Sequence, residues 1–114
     1  MSDIPFSAEV RRKEGKAVID LRGEINAFAE SDLNEAFAQA GKDSPSAIVL
    51  NFEQVGYINS TGIALIVGLL AQARKTRQTL VVYGLTEHYL EIFKITRLAD
   101  FMTIYADEAA ALAG

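Results

Sequence analysis

Two hydroxyls stand side by side at Ser60 and Thr61, inside the stretch Tyr57-Ile58-Asn59-Ser60-Thr61-Gly62-Ile63. A serine in such a place can cap a helix, attack a carbonyl, or receive a phosphoryl group. Attack is the weakest of the three readings. The residues around Ser60 do not form a G-x-S-x-G elbow, and the only histidine, His88, begins a different predicted helix. Phosphate-loop binding is also weak, because Gly56 and Gly62 do not form G-x-x-x-x-G-K-[ST]. Glu24 and Glu53 are lone acids and read as solvated rather than as a catalytic pair. The chain has no cysteine and one histidine, so thiolate catalysis, disulfides and His-rich or Cys-based metal sites are excluded. No catalytic residue and no cofactor is expected.

Capping and phosphoacceptance remain, and both need a helix N-terminus. The pattern supplies one. Ala47-Ile48-Val49-Leu50-Asn51-Phe52 is an apolar, β-branched run and predicts a buried strand over 47–52. A helix is predicted from about Thr61 to Lys75, with Asn59 or Ser60 at its N-cap. In the plainer reading Ser60 is the cap, its oxygen accepting a backbone N–H, for about 1 kcal/mol. In the sharper one a phosphate on Ser60 meets free N–H donors and the positive end of the helix dipole. It would add roughly −1.5 to −2 charges to a neutral surface and repel a partner docked there.

The other elements are scaffold for this turn. Phe6, Ala8 and Val10 alternate with polar residues, as do Ala17, Ile19 and Leu21, and Glu14-Gly15 lies between them. That predicts a β-hairpin. Gly23-Glu24-Ile25-Asn26 follows as a loop or strand end. Leu33, Ala36, Phe37 and Ala40 have helical spacing, with Glu30 and Asp32 in the first turn, Gly41 at the C-terminus and Pro45 beyond. In the long helix Ile63, Ile66, Val67 and Leu70 are read as one face, with Leu65 and Leu69 beside it. Ala64, Gly68 and Ala71 form a stripe of small residues, either closely packed or exposed as a flat docking surface. Thr79–Tyr83 reads as a strand, Glu87–Ile95 as a helix capped by Thr86, Phe101–Tyr105 as a strand, and Glu108–Ala113 as a helix capped by Asp107. The order β-β-α-β-α-β-α-β-α predicts an α/β fold with a mixed sheet and one domain over 1–114, with residues 1–5 as a loose end.

Half of the chain is hydrophobic, enough for a core. A net charge of −4 and a pI near 4.9 argue against a nucleic-acid partner, which needs a basic face. The longest apolar run, around Ile63 to Ala71, is about half of the ~20 residues that span a membrane. Met1 to Pro5 carry neither a basic segment nor an apolar one, so no secretory signal and a cytoplasmic location are expected.

Four segments in this order resemble the STAS domain of bacterial anti-sigma-factor antagonists. Gly23-Glu24-Ile25-Asn26 is similar to the family's G-E-[IL]-D, and Ile48 to Phe52 with Val55-Gly56-Tyr57-Ile58 is similar to its central strand and exit. Asn59-Ser60-Thr61-Gly62-Ile63-Ala64 is similar to its D-S-[ST]-G-L-G signature, and Leu90 to Leu98 to its F-x-[IL]-T-G-L segment. Asn26 and Asn59 stand where the family has Asp, keeping shape and losing charge, and Arg97 stands where it has Gly.

The resemblance implies a non-enzymatic partner switch. The unphosphorylated protein binds a kinase-fold anti-sigma factor and releases a sigma factor. That kinase phosphorylates the antagonist, and a PP2C-type phosphatase reverses the step. Carried onto this chain, the phosphoacceptor is Ser60, with Thr61 second. The implied partner-binding residues are Asn26, Tyr57, Asn59, Ser60, Thr61, Gly62, Ile63 and Ala64. Two further readings stay open: a non-switching STAS subunit of a stress-signalling or transporter complex, and a small module binding an anion or nucleotide. A homodimer through the small-residue stripe is compatible with all of them.

Overall fold

A computed structural model describes residues 5–114; of the expected loose end, Met1 to Ile4 lie outside the described residues. Strand β1 (Ser7–Lys13) turns at Glu14-Gly15 into β2 (Lys16–Ile25), and the two pair antiparallel. Both turn residues have positive φ, Glu14 at 51° and Gly15 at 77°, which glycine adopts without steric cost. Helix α1 (Glu30–Ala40) leads to β3 (Ile48–Ile58), helix α2 (Ser60–Lys75) to β4 (Leu80–Tyr83), and helix α3 (Glu87–Ile95) to β5 (Thr103–Tyr105). Helix α4 (Glu108–Ala113) closes the chain. The sheet order is β1-β2-β3-β4-β5, with β2 to β5 all parallel. This is the expected mixed α/β architecture in the expected element order.

Alternation along the strands divides the core in two. Ala17, Ile19 and Leu21 of β2, with Ile48 and Leu50 of β3 and Val82 of β4, face α1, α2 and α3. Val18, Val49, Val81 and Tyr83 point to the other face and meet Ala111 and Leu112 of α4. Burial on both faces explains the consecutive apolar residues Ile48, Val49 and Leu50 at the start of β3.

The boundaries differ from expectation where tertiary pairing overrides local pattern. Strand β3 extends six residues beyond Phe52, to Ile58. Its pattern is interrupted by exposed Glu53, Gln54, Gly56 and Tyr57, but β2 also runs on to Ile25, and Ile25 pairs with Ile58. Register shifts between Asp20 and Arg22 and between Gly23 and Glu24, with Gly23 at φ 97°, make that pairing fit. In α2 the buried residues are Gly62, Ile66, Leu69, Leu70 and Ala73, and Val67 is 47% exposed rather than in the core. Strand β5 begins at Thr103, because Leu98–Asp100 form a 3-10 turn and Phe101 is exposed. Arg97, in the position of the family glycine, has φ 68°, a left-handed conformation that disfavours a side chain.

A polar cluster ties α4 to the sheet. The Arg11 guanidinium donates to Asp20 and Glu108, Asn51 Nδ2 donates to Asp20 at 2.8 Å, and Tyr83 Oη donates to Glu108 at 2.8 Å. Arg11, then Tyr83, stabilise the Glu108 carboxylate and bring its pKa down to about 2. Arg11 likewise holds Asp20 below the usual carboxylate range, while burial and then Glu108 push the Tyr83 phenol up. A depressed carboxylate pKa gives stability that is present above the unfolded-state value and lost as pH falls towards the folded one. Unfolding by urea at pH 5 and at pH 3 should therefore show a loss that Glu108→Gln reduces by ~1 kcal/mol, a modest figure because the Arg11 side chain is 40% exposed. An equal loss in both proteins would mean that this pair adds nothing to stability.

Candidate functional site

Parallel strands end at a common edge, and in α/β folds the crevice beyond their carboxyl ends is where sites form. Here that edge holds the ends of β2 and β3 and the start of α2. Asn59 N donates to Ile25 O at 3.2 Å, joining the two strand ends. From α3, the Tyr89 hydroxyl accepts Ile58 N–H at 2.8 Å in a buried position. Nothing in the sequence pattern signalled that role for Tyr89.

Asn59, and not Ser60, caps α2. Its backbone is extended, its Oδ1 accepts Gly62 N–H at 2.8 Å, and its carbonyl accepts Ile63 N–H at 2.9 Å. Ser60 is thus the first helical residue, exposed, and its hydroxyl has no hydrogen-bond partner among the described residues. Thr61 is exposed beside it. The N–H groups of Ser60 and Thr61 fall in the first turn, where no intrahelical acceptor exists. A free hydroxyl, open donors and the positive end of a long helix therefore coincide.

Gly62 is buried, and the reason is steric. A Cβ there would stand 2.2 Å from Ile25 O and 2.8 Å from Ile58 Cγ2. It fixes how closely α2 approaches β2, and it presents no surface of its own. The other expected contact residues lie around the hydroxyls. Tyr57 is 53% exposed and Ala64 is exposed, while Asn26, Asn59 and Ile63 are half-buried. Asn26 caps a 3-10 turn, Ala27–Ala29, through Oδ1 to Phe28 N at 2.9 Å, and its Nδ2 donates to Glu24 at 3.1 Å. This turn displays Phe28 at 92% exposure. No sequence pattern singles out Phe28, since one aromatic between two alanines carries no period. An aromatic so fully exposed beside the turn is accessible to a partner and would bury a large apolar area on binding. His88 is exposed with its ring against Tyr89, and nothing brings it together with Ser60. No group of three or more metal-ligating side chains occurs among the described residues. No helix among them is long and apolar enough to cross a membrane.

The exposed stripe Ala64, Gly68, Ala71 continues from this site along α2, and a Cβ at Gly68 would meet only open space. Of the two readings of that stripe, close packing within the chain is the one the structure overturns. The reason is that the helix packs through Ile66, Leu69, Leu70 and Ala73, which lie on its other side.

Thermal or urea unfolding distinguishes inward from outward residues in this motif. Asn59→Ala should cost ~1 kcal/mol as a lost cap. Ser60→Ala should stay within about 0.5 kcal/mol, as an exposed site. Gly62→Ala should cost about 1–3 kcal/mol, because Ile25 O cannot be displaced without breaking the strand end. A destabilised Ser60→Ala with a neutral Asn59→Ala would reverse the assignment of the cap.

Comparison with known proteins agrees with this fold. The STAS domain family model matches residues 7–111. The anti-sigma-B factor antagonist of Staphylococcus aureus is 29% identical over 86 residues, 75% of this chain and 80% of the relative. The crystal structure of an anti-sigma factor antagonist from Mycobacterium paratuberculosis superposes with a TM-score of 0.81 at 21% identity, covering 96% of this chain and 92% of that one. The phosphorylated form of the Bacillus cell fate determinant SpoIIAA superposes with a TM-score of 0.68 at 20% identity, covering 94% and 96%. With the match spanning all five strands and all but the last two residues of α4, the chain belongs to the STAS domain family.

Proposed function

We propose that this chain is an anti-sigma-factor antagonist, a cytoplasmic binding protein rather than an enzyme, whose 114 residues work as one domain. The reading rests first on one observation. Asn59 satisfies the cap of α2, so the Ser60 hydroxyl is left exposed and uncommitted at the positive end of the helix. Tyr57, Ser60, Thr61 and Ala64, with Asn26, Asn59 and Ile63 below them, form the docking surface, and Phe28 is its projecting anchor. The names of the S. aureus and M. paratuberculosis relatives support the class of partner, an anti-sigma factor.

The switch is phosphorylation of Ser60 by a kinase-fold partner, for which the phosphorylated relative is a precedent in the same fold. Ser60 Oγ attacks the γ-phosphorus of ATP, the bond to the β-phosphate oxygen breaks, ADP leaves, and the serine proton passes to a base on the kinase. Neither Asn59 nor Asn26 can serve as that base, so the partner must supply it. The product places a dianion at a surface whose docking depends on burying apolar and neutral groups. Its partners must then desolvate it, and binding fails. A PP2C-type phosphatase would restore the hydroxyl.

Incubation with the cognate anti-sigma kinase and Mg-ATP should raise the intact mass by one phosphate, and Ser60→Ala should abolish that gain. Ser60→Asp should weaken partner binding at least roughly tenfold in calorimetry while leaving unfolding unchanged. If Ser60→Asp binds as tightly as the parent protein, the chain is a subunit whose docking is not switched. If Ser60→Ala is phosphorylated as well as the parent, the acceptor is elsewhere, with Thr61 the next candidate.

A further inference from the structure

The C-terminal half of α2, running from about 10 Å to about 21 Å from Ser60 along the axis at ~1.5 Å per residue, carries a second surface that the switch does not use. Val67, Leu70, Leu98 and Phe101 line a groove of about 280 Å³ between α2 and the turn after α3. Val67 is 47% and Phe101 54% exposed, so the groove is apolar and open. A second hollow of about 340 Å³ shares Leu70, Arg74 and Phe101 with it.

The charges there run against the rest of the molecule. The chain carries −4, yet the two ionic side chains lining the groove are Arg74 and Arg97. Arg97 is paired with Asp100, Nε to Oδ2 at 2.6 Å. Arg74 has no carboxylate within ion-pair distance among the described residues, and its guanidinium lies 5.0 Å over the Phe101 ring. A guanidinium stacked on an aromatic ring is held in place with its edge donors free, which suits it to a carboxylate. Approaching the groove, the outer face of α2 is uncharged, and at Gly68 it is open enough for a second helix to come close.

We infer that this groove docks an acidic amphipathic helix of another protein, its apolar side chains in the groove and a carboxylate on Arg74. A second copy of this chain fits less well. An isologous pairing would bring the uncompensated Arg74 of each groove against a surface that offers it no free carboxylate. The inference concerns a surface separate from Ser60 and does not depend on its phosphorylation.

The test is an NMR titration of the ¹⁵N-labelled full chain with a synthetic amphipathic peptide of about 18 residues, long enough to fold as a helix when bound. One version carries Leu on one face and Glu on the other, and a second carries Lys in place of Glu. The acidic peptide should give saturable shifts at Val67, Ala71, Leu98 and Phe101, with the Lys version roughly tenfold weaker or worse. Arg74→Glu, an exposed substitution, should reverse the preference while leaving the rest of the spectrum folded. Equal binding of both peptides, an unchanged preference in Arg74→Glu, or shifts confined to the Ser60 end would each overturn the inference. So would shifts of the same residues with protein concentration alone, which would assign the groove to a second copy.

Discussion

One backbone carbonyl, Ile25 O, holds the candidate site together. It accepts Asn59 N–H at 3.2 Å, and the bare Cα of Gly62 is packed so closely over it that a methyl group would overlap. The end of β2, the end of β3 and the start of α2 are thereby drawn to one point. The register shift at Gly23 makes this possible by bringing Ile25 opposite Ile58, and Tyr89 holds Ile58 from the α3 side. The signature stretch thus divides by direction. Asn59 and Gly62 point inward and build the turn, while Ser60 and Thr61 are left outside it. Residues adjacent in sequence have unrelated jobs, because the first turn of a helix sends successive side chains about 100° apart.

Much of this was legible in the sequence. Period-two alternation marked the hairpin, period 3.6 marked α1, and Thr86 and Asp107 stood out as caps that the structure uses. What escaped was set by tertiary geometry. Asn and Ser are nearly equal as N-cap residues, so local preference could not choose between Asn59 and Ser60. The choice falls on Asn59 because the strand-end pairing leaves its backbone extended. Tyr57 and Ile58 looked like turn because exposed residues before them broke the apolar run. Val67 looked buried because α2 is apolar on most of its circumference, and a period with no polar face has no phase to read. Phe28 left no trace at all, since exposure is a property of the fold. Arg97 stands where the family has glycine, and only its positive φ in the fold shows that a side chain there is strained.

The two sides of the sheet are built on different physics. The side under α1, α2 and α3 is hydrophobic packing, with α2 laid over the middle strands. The side under α4 is smaller, and a six-residue helix cannot bury much. There the polar cluster of Arg11, Asp20, Asn51, Tyr83 and Glu108 adds what apolar area does not. Each buried polar atom in it is partnered, which is the condition for such a network to help rather than harm. The consequence for function is rigidity at the right place. Asn51 of this network also accepts Glu53 N–H at 2.9 Å, which steadies β3 as it leaves the core for the site.

The neutral cap bears on the proposed switch in a way that the loss of charge first obscures. An aspartate at position 59 would already occupy the helix N-terminus with a negative charge, and a phosphate on the neighbouring residue would be repelled by it. Asn59 accepts the same Gly62 N–H through a neutral oxygen. The helix dipole is then left unneutralised, and Asn26 adds no charge from the adjoining turn. A phosphate on Ser60 gains the full local attraction of the dipole, in the range of about 0.3–1 kcal/mol for an exposed site. The missing carboxylate takes away a group that could orient the serine for transfer, yet it favours the phosphorylated product once formed. In the proposed switch, Asn59 would therefore leave proton abstraction to the partner and make a phosphorylated Ser60 easier to hold.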